Sequence, residues 1–322
     1  MRAPVRLFQL EAMIALQDGD SGPAIRLQQE LALWIKRQLA GGVNFADLSV
    51  ASFLQRDAAD LGCEVLAYGM PGTDQLAAMD RLWRDEPRLT EAWRSALRNE
   101  GAFFREALDL IRPDTTPKSG TWQGMKNPHG KLLFKKNRTL NRYHASMRRN
   151  MGVTFQPFST LRAAREAGVG LDPEDDFPLP NHWGWEPNAT GMKLLRSEGS
   201  FGNIVPSHYH FLFVPRAVRV RLAVYRWRQV HPGQWPVTLT ELVPDFLPEV
   251  PQDPWNGAPL LWNQATRTVY AVGSDWVPDP PDFNPNNHFW LTRAHKTPGL
   301  RMELLPISPV TPPKRKVVPP NP

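Results

Sequence analysis

Residues 225–282 read YRWRQVHPGQWPVTLTELVPDFLPEVPQDPWNGAPLLWNQATRTVYAVGSDWVPDPPD, and in unbroken order they spell a helix end, a capped short helix, fixed turns and a hairpin. Ala217, Val220, Val224 and Trp227 recur at helical spacing up to His231-Pro232-Gly233. A breaker followed by a residue tolerant of positive φ predicts that the incoming helix stops there. Thr238 with Glu241 three residues later makes a capping box over Leu239 to Phe246, with Pro236 just ahead, so a short helix is expected. Pro244, Pro248, Pro251 and Pro254 deny further helix, and Asp253-Pro254-Trp255-Asn256-Gly257 concentrates turn formers. Leu260-Leu261-Trp262 and Thr268 to Val272, parted by polar residues, read as an antiparallel hairpin.

That order of elements carries a resemblance. The pattern is a tyrosine-bearing helix, then G-x-[YW]-P-x-[ST]-L-x-x-L-V-P-x-[YF]-L, then P-x-D-P-[FW]-x-G-x-P, then [VL]-Y-[SA]-V-G-x-D. The chain follows it through Gly233, Trp235, Pro236, Leu239, Leu242, Val243, Pro244, Leu247, Pro251, Asp253, Pro254, Gly257, Pro259, Tyr270, Gly273 and Asp275. In this it resembles the C-terminal module of type II secretion pseudopilins and of a group of planctomycete-type proteins. The resemblance implies a helix packed on a short hairpin. In the major pseudopilin the end of this module holds calcium, which points here to Asp275, Asp279 and Asp282. The chain departs from the pattern at 276–282, where W-V-P-D-P-P-D replaces a glycine- and aspartate-rich end.

Outward from the module, composition bounds the rest. The chain has 322 residues, 41% of them hydrophobic, enough for a sizeable core in two domains or subdomains. Only 4 of the 33 prolines precede Pro113 and 19 lie from Pro232 onward, which predicts a helical first part and a turn-rich last part. The single cysteine, Cys63, excludes an intrachain disulfide and reads as a small buried apolar residue. The expected fold is α+β and mainly α. Residues 1–112 form an array of antiparallel helical hairpins, 113–205 a basic loop-rich middle with short helices, 206–290 the helix-and-hairpin module, and 291–322 a disordered proline-rich tail.

The array is read from apolar stripes. Val5, Phe8, Ala12 and Leu16 form one, ending at Gly19; Ser21-Gly22-Pro23 opens a second helix with Leu27, Leu31 and Trp34 on one face, closed by Gly41-Gly42. Further stripes run through Leu48, Ala51, Leu54, Ala58 and Gly62, then Leu76, Met79 and Trp83, then Trp93, Leu97, Phe104 and Ile111. Gln17-Asp18-Gly19-Asp20 resembles the loops of tetratricopeptide-type repeats, although no strict period of that family continues.

Between Asp114 and Glu166 there is no acidic residue and there are eleven basic ones. Lys131, Lys135, Lys136, Arg138, Arg142, Arg148 and Arg149 form its centre, with Trp122, Phe134, Tyr143, Phe155 and Phe158 interleaved. Such a segment can follow a phosphate backbone or anionic lipid heads, with aromatics to stack on bases. A solvated face bearing the overall charge of +6 is the plainer reading. His208 and His210 would share a face if 206–214 were a strand, though no third metal ligand follows by spacing. Glu100, on a core stripe, and the cluster Asp172, Glu174, Asp175 and Asp176 are the candidate acid groups, each more simply a paired or solvated carboxylate. The many tryptophans of the second half, Trp255 and Trp262 among them, read as filling for a thin core rather than as a sugar-stacking surface.

The sequence carries no P-loop, paired-glycine dinucleotide turn, nucleophile elbow or metalloprotease helix. The expectation is a non-enzymatic structural or partner-binding protein, with a protein partner, with an anionic polymer or membrane surface as the alternative, and with no small-molecule substrate identified by the sequence. A hydrolase built on Glu100 or the Asp172–Asp176 cluster is a third reading. No cofactor is expected; calcium is the one that the resemblance allows. The start, MRAPVRLFQLEAMIALQ, fits an amphipathic helix, which as written suggests the cytoplasm; an apolar segment ahead of Met1 would make an envelope protein. The metal expectation has a direct measurement: about 1 mM calcium should raise the melting temperature, because a ligand of the native state stabilises it. An unchanged melting temperature would assign the 275–282 loop a structural role only.

Overall fold

The computed structural model describes residues 2–41, 45–68, 71–84, 86–110, 135–156, 160, 163, 195, 204–272, 289–290 and 299–301. Within them the protein is mainly helical, with one small antiparallel sheet. The helices are α1 (Arg2–Gln17), α2 (Ser21–Gly41), α3 (Phe45–Tyr68), α4 (Thr73–Leu82), α5 (Glu86–Leu110), α6 (Lys136–Thr154) and α7 (Ile204–Val230). The strands are β1 (Leu261–Asn263), β2 (Thr268–Tyr270), β3 (Phe289–Trp290) and β4 (Gly299–Arg301).

The stripes read from the sequence are the inner faces of these helices. Ala12, Leu31, Leu48, Ala51, Leu54, Ala58, Leu76, Met79, Trp83, Trp93, Leu97 and Phe104 are all buried in one continuous core. The turn between α1 and α2 falls at the expected place, with Gly19 at φ 80°. There the Asp20 carboxylate accepts the backbone N–H of Gly22 at 3.1 Å, supplying a cap for the second helix.

The frame is built around α7. It packs against α3, α4, α5 and α6 and also against β2, β4 and the turn after Thr238. From Ala217 to Val224 seven of eight residues are buried, so this helix is enclosed all round rather than amphipathic. It also corrects the strand condition placed on 206–214. The apparent alternation of Tyr209, Phe211 and Phe213 belongs to a helix covered on several faces, with Pro206 in its first turn and Pro215 in its interior. The array of helices and the C-terminal module therefore share one element and one core.

The module follows its sequence reading closely. The helix ends at Val230 and Gly233 stands at φ 77°. Glu241 accepts the backbone N–H of Thr238 at 2.9 Å, the reciprocal half of the capping box. The expected helix to Phe246 is shorter, a single 3-10 turn over Leu239–Leu242, because Pro244 has no N–H with which to continue it. β1 and β2 pair antiparallel with Leu261 opposite Tyr270 and Asn263 opposite Thr268. β4 lies on the other side of β2 and β3 beside β4, giving the order β1-β2-β4-β3. Strand β4 thus falls within 291–322, where the sequence predicts only a disordered tail.

Arginines on α7 hold the module in place. Arg216 donates to the Gln252 carbonyl at 2.7 Å, Arg226 donates to the Phe246 carbonyl, and the Arg228 guanidinium lies 4.0 Å over the Trp235 ring. Within the module the organising group is Asp253, which is buried. Its Oδ1 accepts the N–H of Trp255 and its Oδ2 the N–H of Val272, each at 2.8 Å, tying the turn to the end of the hairpin. Asp253→Ala would orphan both donors. It should lower stability by about 3 kcal/mol in urea unfolding, whereas a change below about 0.5 kcal/mol would show that the carboxylate does not hold the module together.

Candidate functional site

The clearest surface feature is the outer face of α6. Its inner side consists of Thr139, Tyr143, Ser146 and Met147, all buried, with the Tyr143 ring stacked on Phe104 of α5 at 3.8 Å and 10°. That spacing forces the intervening residues outward. Arg138, Arg142 and Arg148 are exposed on the helix, Lys135 is exposed just before it, and Lys136 is half-buried. No acidic residue occurs from 135 to 156. His144 is kept below its ordinary pKa, first by burial and then by Arg105 and Arg148, so α5 adds charge of the same sign to this face. Of the residues expected to bind anions, Lys131 lies outside the described residues, and Arg149 is placed on α6 by the backbone alone.

The aromatic half of that expectation changes. Tyr143 is core, and Phe155 is packed against His208 at 5.1 Å beneath the Arg94 guanidinium at 4.9 Å. Neither presents a free face for stacking on bases. Trp122, Phe134 and Phe158 lie outside the described residues, as do Asp275, Asp279, Asp282 and the Asp172–Asp176 cluster. Among the described residues there is no group of three or more His, Cys, Asp or Glu placed to hold a metal.

The histidine pair is corrected by the helix. Two residues apart on α7 means about 200° around its axis, and the two rings go to different places. His208 packs edge-on to Trp93 at 5.4 Å, and His210 edge-on to Trp255 at 4.9 Å. Burial pushes the His210 pKa down to about 4, so its ring is neutral at physiological pH. Trp93 and Trp255 are themselves buried, in keeping with tryptophans as core filling. Glu100 is half-buried on α5.

One cluster was not read from the sequence. Arg221 of α7, 1% exposed, donates to the Ala59 carbonyl at 2.7 Å and to the Cys63 sulfur, both on α3. Gly62 makes room for it: a Cβ there would lie 3.0 Å from the Arg221 Nη2. Around this guanidinium stand Asp60, Glu64 and Tyr225, and the Gln28 amide also borders the Gly62 gap. A charged residue inside the run Ala217 to Val224 was the available signal, because a helix apolar on every side leaves an arginine no route to solvent.

The chemistry of the cluster is that of a buried brace. Burial raises the Cys63 thiol to about 12, so the thiolate fraction at neutral pH is on the order of 10⁻⁵ and the sulfur is not a nucleophile. Burial raises Asp60 to about 7, with Arg56 and Arg221 opposing. Its Oδ1 meets no hydrogen-bond donor among the described residues. No family model matches the sequence, and no characterised protein or solved structure is significantly similar to it.

Asp60 makes the cluster sensitive to pH. The folded state holds this proton more tightly than the unfolded chain, so the stability it confers is complete below about pH 4. That stability is lost as pH rises to about 7, the folded value. Asp60→Asn should remove this component: urea midpoints of variant and wild type converge near pH 4 and diverge towards pH 8, with the variant the more stable. Parallel midpoints across that range would place Asp60 in a solvated setting.

Proposed function

We propose that the protein is a non-enzymatic binding scaffold that presents the outer face of α6 to an anionic polymer. The observation that carries the reading is the one-sidedness of this helix. Arg138, Arg142 and Arg148 with Lys135 face solvent, no carboxylate lies between 135 and 156, and the other side is fixed against α5 by Tyr143. Residues 138 to 148 span about 15 Å at the helical rise, so the charges form a rigid row of the kind that follows a phosphate backbone. Among the described residues Tyr143 and Phe155 are packed inside, so the contribution read from α6 is charge.

The finer architecture belongs to the same proposal. The helices before α6 act as a tetratricopeptide-like array that docks partners, and the outer stripe of α1 supports a protein partner as well. Leu7, Leu10 and Ile14 are 59%, 57% and 49% exposed at positions i, i+3 and i+7. The likeness of 225–282 to a pseudopilin module supports a place at the cell envelope.

Fluorescence anisotropy with a labelled oligothymidylate tests the binding. Four phosphate contacts give a salt slope near −2.8, so affinity should fall roughly 50-fold between about 50 and 200 mM salt. Replacing Arg138, Arg142 and Arg148 together by Gln should reduce the slope to about −0.7. Binding that is absent at low salt, or unaffected by the triple substitution, refutes this function; vesicles of phosphatidylserine run in parallel identify a membrane surface if they bind in place of the oligonucleotide.

A further inference from the structure

Among the described residues seven large apolar side chains are exposed, and four of them, Leu7, Leu10 and Ile14 on α1 and Leu33 on α2, share one helical hairpin. The two helices set out their exposed residues at one spacing, i, i+4, i+7 and i+11. These are Leu7, Glu11, Ile14 and Asp18 along α1 and into its turn, and Arg26, Glu30, Leu33 and Arg37 along α2. Each set falls within about 60° around its helix, the narrow seam by which antiparallel helices pair. The opposite sides, with Ala12, Ile25 and Leu31, already fill the core, so the fold of a single chain leaves both seams unused.

The order of the side chains selects what can cover them. The turn at 18–20 makes α1 and α2 antiparallel, so residues equally far from Gly19 stand at about the same height. By that count Arg26 is level with residue 12 of α1, Glu30 with residue 8 and Arg37 with its start. A two-fold axis across Leu10, perpendicular to the helices, lays α1 on the α1 of a second copy and α2 on its α2, with heights reversed. Leu7 then meets the partner's Ile14, and Leu10 lies beside the axis. Arg26 comes opposite the partner's Glu30, and Arg37 reaches the level of the partner's Asp18. Turning the copy about the long axis of the hairpin instead sets α1 on α2, with Leu7 against a glutamate and Ile14 against an arginine. Apolar and charged positions are therefore self-complementary in the first arrangement alone. The 16 residues of α1 span about 24 Å, and two helices side by side are about 20 Å wide, giving roughly 500 Å² on each copy. That lies at the low end for specific interfaces, where association is reversible.

We propose that the outer face of the α1–α2 hairpin docks a second copy of this chain, antiparallel about an axis across Leu10, to form a reversible homodimer. This rests on the reading of the α1 stripe as a protein-docking face and names its partner.

Sedimentation velocity of the full chain tests it. The mass should rise from 36.5 kDa towards twice that value with concentration. Leu10→Glu sets like charges beside the axis and should leave a monomer at every concentration; Leu10 is 57% exposed, so the variant should melt near the wild type. Arg26→Glu should weaken the dimer roughly tenfold, and Glu30→Arg added to it should restore association. A wild type that stays at 36.5 kDa throughout overturns the proposal and gives the face to a different protein. A dimer that survives Leu10→Glu, or a charge swap that restores nothing, overturns it as well. The oligothymidylate assay keeps the two functions apart: a monomer that binds the oligonucleotide removes the dimer alone, and a dimer that binds none removes the role of α6 alone.

Discussion

A helix buried on every side has to be covered on every side, and α7 imposes this constraint on the whole chain. Its residues from Ala217 to Val224 leave no polar stripe to give to water, so α3, α4, α5 and α6 together with the C-terminal module cover its surface. The module cannot be a freely hinged appendage, because its first helix is the centre of the molecule. For the same reason the arginines of α7 find partners inside the fold: Arg221 the carbonyl of Ala59, Arg219 the carboxylate of Asp80, and Arg216 and Arg226 the carbonyls of Gln252 and Phe246. They act as crosspieces between layers that apolar packing alone would leave free to slide.

What could be read in advance was what is local. The stripes of the first helices, the stop at Gly233, the capping box at Thr238 and Glu241 and the β1–β2 pairing each depend on residues within a few positions of one another, and their chemistry is the same in any fold. The N-terminal half of α7 was different. Its aromatics alternate as they would in a strand, and only the surrounding helices make a continuous apolar surface out of that alternation. Arg221 stands out within its apolar run although its partners on α3 do not, and Asp80 gives no signal at all, since a charge within a helix reads as a solvated face until the partner more than a hundred residues away is known. Strand β4 pairs with β2 across about thirty residues rich in proline, a distance over which periodicity carries no information.

The arginines of α6 and those of α7 differ in kind. On α6 Arg138, Arg142 and Arg148 are exposed, where screening at physiological ionic strength limits the strength of any single contact. At Asp80 the Arg219 side chain is largely withdrawn from solvent, where a fixed ion pair is stronger and less affected by salt. A net charge of +6 says nothing of this division. Burial creates it, by deciding which arginines are crosspieces and which are left as surface.

The same reasoning bears on the motif around Asp253. A carboxylate preserved in order with prolines, a tryptophan and a glycine suggests a binding loop, yet both of its oxygens are occupied by the backbone of Trp255 and Val272. Burial raises its pKa, while those donors and Arg216 lower it, the balance expected of an acceptor fixed inside a turn. Trp255 fills the space against Tyr209, His210 and Phe213 that the turn encloses. Asp253 and Trp255 of the turn are thus used in seating the hairpin against α7. The described residues of this turn are therefore accounted for by folding, as the parts of a device that closes a helix with a hairpin.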